Sequence, residues 1–131
     1  MTFVFDNTWP PSFARALDAL NKNHPVKHLR VDLKYKSDTK DPIWLRDFKD
    51  KYVIVVTGDF NLLINQHEQK LVLESGFTYF VFRRSFTQLK LWEQVKRLIN
   101  VWPEIKKLAK KHREKAIFIV PLRGTKIKRL I

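Results

Sequence analysis

Short apolar runs that end at polar or small residues recur along the chain. Four of them predict buried β-strands, namely Thr2 to Phe5, Val26 to Val31, Tyr52 to Val56 and Phe77 to Phe82. The third run shows no alternation of polar and apolar residues, which is typical of a central parallel strand covered on both faces. Later in the chain, Ala116 to Val120 and Ile127 to Leu130 flank Arg123-Gly124 and predict a terminal β-hairpin.

Between the first four runs, apolar residues recur every three or four positions and predict helices. One helix opens at Pro10-Pro11 and carries Phe13, Leu17 and Leu20 on one face. Two more are expected, one after Asp41-Pro42 and one from about Gln66 to Ser75 with a stop at Gly76.

A longer amphipathic helix is predicted from Ser85 onward, because Ser85 and Gln88 resemble a capping box and apolar residues continue at helical spacing. Pro103 should kink this helix or split it in two. The aromatic residues Trp92, Trp102 and Phe118 are expected in the core. The alternative is that they form a partner surface, for example in a homodimer.

Strands that alternate with helices over residues 1 to 82 indicate an α/β fold with a mainly parallel central sheet. We expect one domain over residues 1–131. Ligands of such sheets collect beyond the carboxyl ends of the strands. That rule places Asp6, Asp32 and Asp59 together, with Asp41 at a helix start that could face the same cleft.

The charge of the chain is strongly positive and unevenly distributed. The 131 residues include 26 Lys and Arg against 13 Asp and Glu, for a net charge of +13. Residues 66–131 carry +11 of this excess. Polyanions are therefore the expected partners, nucleic acid first and an acidic membrane surface second, although a protein can also be basic without such a partner.

The absence of cysteine excludes thiol catalysis, cysteine-bound metals and disulfides. No apolar run approaches the length that spans a bilayer, and residues 1–6 lack the features of a secretory signal. We therefore expect a soluble cytoplasmic protein, and of the two polyanion classes we expect nucleic acid and no membrane as its partner.

Carboxylates that converge at one end of a sheet repel one another, and bound Mg²⁺ or Mn²⁺ would neutralise them. A metal held in this way could support phosphodiester hydrolysis. Each acid also has a structural alternative. Asp6 could bind loop N–H groups or cap the first helix, Asp41 is an obvious N-cap, Asp59 could be a turn residue, and Asp32 could be a solvated loop acid.

The basic residues of the second half are candidates for gripping a nucleic-acid backbone, although an ordinary solvated helix face has the same composition. The candidates are Arg83, Arg84, Lys96, Arg97, Lys106, Lys107, Lys110 and Lys111.

Several short motifs in order give the chain a family resemblance. It opens with Phe5-Asp6-Asn7-x-x-Pro10-Pro11, places Asp41 before Ile43-Trp44, and ends a strand with Val56-Thr57-Gly58-Asp59. This set resembles the small PIN-like domains found among ribonuclease toxins of bacterial toxin–antitoxin pairs. The later Trp102-Pro103 helix and the Phe118 to Leu130 hairpin are similar to that branch as well.

The resemblance implies a three-layer PIN-like domain with a C-terminal helix and β-hairpin. It also implies an endoribonuclease that uses Mg²⁺ or Mn²⁺ on Asp6, Asp41 and Asp59 and is neutralised by a cognate antitoxin. Asn61 stands where the family usually has a further acid, so Asn7, Asp32 and Asn61 are additional candidate ligands. The alternatives are a non-catalytic module that binds RNA or DNA, and a nuclease that cuts DNA.

Overall fold

The computed structural model describes residues 1–21, 23–32, 52–113 and 115–131. Over these ranges the chain forms a six-stranded sheet with helices on its faces. The strands are β1 Thr2–Phe5, β2 Val26–His28, β3 Val53–Thr57, β4 Thr78–Phe82, β5 Ala116–Val120 and β6 Lys128–Arg129. The helices are α1 Pro11–Leu20, α2 Gln66–Ser75, α3 Arg84–Thr87 and α4 Leu91–Lys111, with a 3₁₀ turn at Phe60–Leu63.

The strands lie in the order β2-β1-β3-β4-β5-β6. The first five strands in this order are mutually parallel, and β6 pairs antiparallel with β5. In the centre of the sheet, Phe5 of β1 is opposite Val56 of β3, and Thr57 of β3 is opposite Val81 of β4. The strands β1 to β5 therefore all end at the same end of the sheet, which we call the carboxyl end.

Apolar side chains cover both faces of the sheet. One layer joins Phe3, Ile54 and Phe80 to residues of α1 and α4, and the other joins Val55 and Tyr79 to Val72 of α2 and its neighbours. All five residues of β3 are buried, as expected for a central parallel strand. The predicted α/β class, with a mainly parallel sheet between helices and a C-terminal helix and hairpin, is confirmed.

Several predicted boundaries are confirmed. Pro11 occupies the first position of α1, and Gly76 ends α2 with a φ of 82°, the left-handed conformation that glycine adopts without strain. Two details are wrong. Leu20 is 73% exposed and does not belong to the buried face of α1. The second strand ends at His28, because a turn closed by Asp32 follows it.

The region from Ser85 to Pro103 differs most from the prediction. Ser85 and Gln88 belong to the short helix α3 and its end, and the long helix α4 begins only at Leu91. Pro103 does not split α4, which spans 21 residues from Leu91 to Lys111 without a break. The helix predicted after Asp41-Pro42 lies outside the described residues.

Of the three aromatic residues that were expected in the core, Trp102 and Phe118 are buried. Trp92 is 73% exposed, so the core prediction is wrong for this residue. None of the helices in the described ranges combines the length and apolar character that a bilayer-spanning segment needs.

Candidate active site

The polar residues that follow β1 and β3 meet at the carboxyl end of the sheet. Asp6 directly follows β1, and Gly58-Asp59 directly follow β3. The backbone N–H of Asp6 donates to the carbonyl of Val56 at 3.3 Å, which extends the pairing of the two strands by one bond. Because neighbouring strands lie roughly 5 Å apart, this pairing brings the two acidic loops together.

The loop after β1 is organised around the carboxylate of Asp6. The Oδ1 of Asp6 accepts hydrogen bonds from the N–H of Thr8, at 3.0 Å, and from the Thr8 hydroxyl. The same hydroxyl oxygen accepts from the N–H of Gly58 at 2.8 Å. Thr8 therefore connects the Asp6 carboxylate to the loop that carries Asp59. The structural alternative for Asp6, binding of loop N–H groups, is confirmed for its Oδ1.

Asp59 has a turn role as well. Its Oδ1 accepts from the N–H of Asn61 at 3.1 Å and caps the 3₁₀ turn, while its own N–H donates to Thr57 Oγ1 at 2.9 Å. Thr57 is buried in β3, so the start of the loop is anchored to the sheet. A carboxylate that caps through one oxygen can still coordinate a cation through the other, and the two predicted roles are compatible.

Trp9 anchors the Asp6 loop to the core of the protein. Its indole N–H donates to the carbonyl of Val56 at 3.1 Å, and its backbone N–H donates to the carbonyl of Asp6 at 3.2 Å. The ring is 4% exposed. Its centroid lies 5.0 to 5.6 Å from those of Phe5, Phe13, Phe82 and Phe86. This packing holds the loop against the core, which limits how far Asp6 can move.

Asp32 lies at the end of the neighbouring strand β2 and closes a turn there. Its Oδ2 accepts from the N–H of His28 at 2.7 Å, and its N–H donates to the carbonyl of His28 at 3.0 Å. The ring of His28 is buried, with Nε2 2.8 Å from the carbonyl of Trp9 and Nδ1 accepting from Arg30 N–H at 3.2 Å. The proton is therefore on Nε2, and His28 ties β2 to the Asp6 loop.

The remaining predicted ligands have different positions. Asn7 follows Asp6 in the loop and is partly buried, and Asn61 is exposed within the 3₁₀ turn. Asp41 lies outside the described residues. Within those residues, no group of three or more His, Asp or Glu side chains is placed to hold a metal ion.

The donors at the carboxyl end nevertheless fit a hard cation. Proteins commonly bind Mg²⁺ through one or two carboxylates, with water and substrate phosphate oxygens completing the octahedron. Asp6 and Asp59 supply two such carboxylates from neighbouring strands. They are the residues that would hold Mg²⁺ or Mn²⁺, and their role as ligands stays a prediction.

Basic side chains also reach this end of the sheet. Arg83 and Arg84 follow β4 and are exposed. The guanidinium of Arg84 lies over the ring of Phe60, 5.1 Å from its centroid, and Phe60 is the residue after Asp59. A cation therefore stands beside the acidic loops, where a phosphate of a bound nucleic acid would need one.

The candidate phosphate-binding residues of α4 divide into two groups. Lys96, Lys107, Lys110 and Lys111 are exposed, and Lys106 is partly exposed. Arg97 is only 9% exposed, and its guanidinium donates to the carbonyls of Pro121 and Gly124. Burial lowers the pKa of Arg97 below its ordinary value. Arg97 therefore holds the hairpin onto α4. The prediction that places Arg97 on an exposed phosphate-binding surface is wrong.

Sequence reasoning did not identify Thr8, Trp9 and His28 as residues that position the site. The signal for Thr8 is local, because an Asp followed two residues later by Thr favours a turn in which the carboxylate binds the backbone. Trp9 and His28 make contacts across strands, and no local pattern predicts them.

A family model described as a PIN-like domain matches residues 1–84, which is more than half of the chain. No curated protein and no solved structure matches the chain. The matched range includes β1 to β4 and both acidic loops. The chain belongs to the PIN-like domain family.

Proposed function

We propose that this protein is a Mg²⁺- or Mn²⁺-dependent endoribonuclease whose active site is the carboxyl end of the sheet. PIN-like domains are generally nucleases, which supports the reaction class. The observation that carries the proposal is that Asp6 and Asp59 follow neighbouring parallel strands and that Thr8 joins their loops through the Asp6 carboxylate and Gly58 N–H.

The carboxylates of Asp6 and Asp59 would hold the ion and orient it toward a phosphodiester. When bound, such an ion polarises a phosphoryl oxygen and lowers the pKa of a coordinated water. Thr8, Trp9 and Thr57 fix the two loops, so the carboxylates are in place before substrate binds. Asp41 is a further ligand by family resemblance.

The charge distribution supports a nucleic-acid substrate. Arg83 and Arg84 are exposed at the carboxyl end, and exposed lysines continue along α4. Backbone phosphates would lie along these cations, with affinity that decreases as salt increases. Arg84 would bind the phosphate nearest to Asp59, and its position over the ring of Phe60 supports this role.

The central test is RNA cleavage by Asp6→Asn and Asp59→Asn variants in the presence of Mn²⁺ or Mg²⁺. We expect each variant to lose more than about 100-fold in cleavage rate while keeping its melting temperature, because the amide cannot replace a charged ligand. Asp18→Asn is the matched control. Asp18 accepts a hydrogen bond from Val26 N–H at the amino end of β2, away from the carboxyl end. The Asp18→Asn variant should therefore cleave RNA like the parent protein.

Two results would contradict the proposal in different ways. Undiminished RNA cleavage by Asp59→Asn would refute the assignment of the active site to the carboxyl end of the sheet. Salt-sensitive RNA binding that EDTA leaves unchanged, without cleavage by any divalent ion, would instead identify a non-catalytic binding module. Parallel assays with single-stranded DNA of the same base sequence separate a ribonuclease from a DNA nuclease, because metal-assisted hydrolysis does not by itself select the sugar.

We further propose that the ribonuclease is the toxin of a toxin–antitoxin pair. The supporting observation is the ordered set of motifs around Asp6, Asp41 and Asp59. Induced expression in a bacterial host should arrest growth, and Asp59→Asn should not. Co-expression of a short reading frame next to the gene should restore growth if it encodes the antitoxin. Arrest by both proteins, or by neither, would contradict this proposal.

A further inference from the structure

A small pocket opens at the carboxyl end of the sheet beside the two acidic loops. Its volume is about 220 Å³. That is roughly the volume of seven water molecules, a space on the scale of one planar heteroaromatic ring. The lining residues are Thr8, Trp9, Pro10, Gly58, Phe86, Thr87 and Gln94. We call it the rim pocket.

The rim pocket has two walls. Thr8, Trp9 and Gly58 come from the loops that position Asp6 and Asp59, so the pocket is adjacent to the proposed catalytic carboxylates. Phe86, Thr87 and Gln94 come from α3 and α4, beyond the residues that the family model matches. The second wall is therefore a feature of this chain rather than of the matched family region.

The chemistry of the lining combines aromatic rings with a side-chain amide. Trp9 and Phe86, each 4% exposed and with ring centroids 5.2 Å apart, form the apolar part of the wall. Gln94 is half-buried, and its Nε2 lies 3.3 Å from the carbonyl of Phe86 and 3.5 Å from that of Thr87. Because both partners are acceptors, the amide nitrogen must face them. Among the described residues, none donates to Gln94 Oε1, so this oxygen is available to a ligand.

We propose that the rim pocket binds one unstacked nucleobase of the substrate and that Gln94 Oε1 accepts a hydrogen bond from the base's exocyclic amino group. The inference rests on the ribonuclease function proposed above and adds base selectivity to it. Single-stranded RNA is commonly recognised through unpaired bases that contact aromatic side chains and form hydrogen bonds through their edges. The selected bases are adenine, cytosine and guanine, which carry an exocyclic amino group, and uracil is disfavoured.

The test uses a pool of single-stranded RNA oligonucleotides with randomised bases, whose cleavage ends are read by sequencing. The expected result is that uracil is disfavoured by about 3- to 10-fold at one position beside the cut, the effect of one neutral hydrogen bond. Gln94→Met keeps the length of the side chain and removes the acceptor, so the discrimination should disappear. Gln88→Met is the matched control because Gln88 is exposed and does not line the pocket.

An oligonucleotide with adenosine at that position, compared with one carrying purine riboside, isolates the amino group itself. The parent protein should cleave the adenosine substrate about 3- to 10-fold faster, and Gln94→Met should cleave the two equally. Absence of base discrimination in the parent protein, or the same discrimination in Gln94→Met, would overturn the inference.

A second measurement does not depend on cleavage. In NMR titrations of the parent protein with AMP, the indole N–H signal of Trp9 and the side-chain amide signals of Gln94 should shift, and UMP should shift them less. This result with no RNA cleavage would retain the pocket assignment and reject the ribonuclease function. No shift at Trp9 and Gln94 with saturating AMP would overturn the pocket assignment even if the protein cleaves RNA.

Discussion

The hydroxyl oxygen of Thr8 accepts a hydrogen bond from the backbone N–H of Gly58 at 2.8 Å, across two neighbouring strands. The same hydroxyl donates to the Asp6 carboxylate. One side chain therefore sets the position of an acidic ligand and of the loop that carries the second one. We therefore expect RNA cleavage to depend on the fixed positions of these two loops as well as on the two carboxylates.

Thr8→Val tests that connection. The substitution keeps the shape of the side chain but leaves the partly buried Gly58 N–H without an acceptor. We expect the free energy of unfolding to decrease by about 1 kcal/mol. RNA cleavage should decrease by about 10- to 100-fold, because misplacement of catalytic groups is costly. Urea denaturation and a cleavage assay measure the two effects. Thr8→Ser retains the hydroxyl and should be close to the parent protein, and full activity in Thr8→Val would refute the role of the hydroxyl.

Substitution of the neighbouring residues Lys96 and Arg97 should affect different properties, RNA binding for Lys96 and stability for Arg97. Arg97→Met removes the donors to the carbonyls of Pro121 and Gly124 and should lower the free energy of unfolding by about 2–3 kcal/mol. Lys96→Met should leave stability unchanged and weaken RNA binding, with a decrease of about 0.7 in the salt slope. Thermal denaturation and RNA titrations at several salt concentrations distinguish them. A smaller salt slope in folded Arg97→Met would show that its buried position is not its only role.

Pro103 interrupts the hydrogen bonding of α4 without ending the helix. Since Pro103 is exposed, Pro103→Ala should restore an N–H donor without disturbing the core. The expected gain in the free energy of unfolding is about 1–3 kcal/mol. Pro11→Ala is the control, since Pro11 occupies the first position of α1, where a missing N–H costs little. Equal effects of the two substitutions in urea denaturation would contradict this explanation.

Tyr52 directly precedes β3 and contacts the end of α4. Its hydroxyl lies 2.6 Å from the carbonyl of Ala109 and 2.8 Å from that of His112, and shares its single proton between them. Burial raises the pKa of Tyr52. The neutral form is therefore favoured in the folded state, and this stabilisation is complete below the unfolded-state pKa, near 10. It is lost as the pH rises through the folded-state pKa.

Tyr52→Phe should lower the free energy of unfolding by about 1 kcal/mol at pH 7, because a buried acceptor loses its donor. Above about pH 10 the difference between the two proteins should shrink, since only the parent protein loses the contribution of this hydroxyl. Urea denaturation from pH 7 to pH 11 measures the difference directly. A difference that stays constant over this range would contradict the assigned pKa direction.

The parts of the fold that the sequence predicted are those that local patterns determine. β3 is a continuous apolar run, and α2 ends at a glycine that adopts a positive φ. The sequence places Asp6 and Asp59 together because each follows such a run, and the parallel register brings their loops together. These inferences need only the strand periodicity and the rule that parallel strands share a carboxyl end.

The errors occur where tertiary contacts override local preference. The capping-box pattern of Ser85 and Gln88 did not mark the start of the long helix, because a separate short helix, α3, follows β4 first. Arg97 is on the basic helix, but hairpin carbonyls capture its side chain. Thr8 and Trp9 position Asp6 through bonds to β3 and its loop, whose sequence is about fifty residues away.

The last strand has a consequence for assembly. β6 consists of two exposed residues, Lys128 and Arg129, paired antiparallel with β5. A strand that is so short and so strongly charged is a poor template for strand addition by another chain. On this flank the sheet is protected from edge-to-edge aggregation, and pairing of β6 with a second copy of the chain is disfavoured.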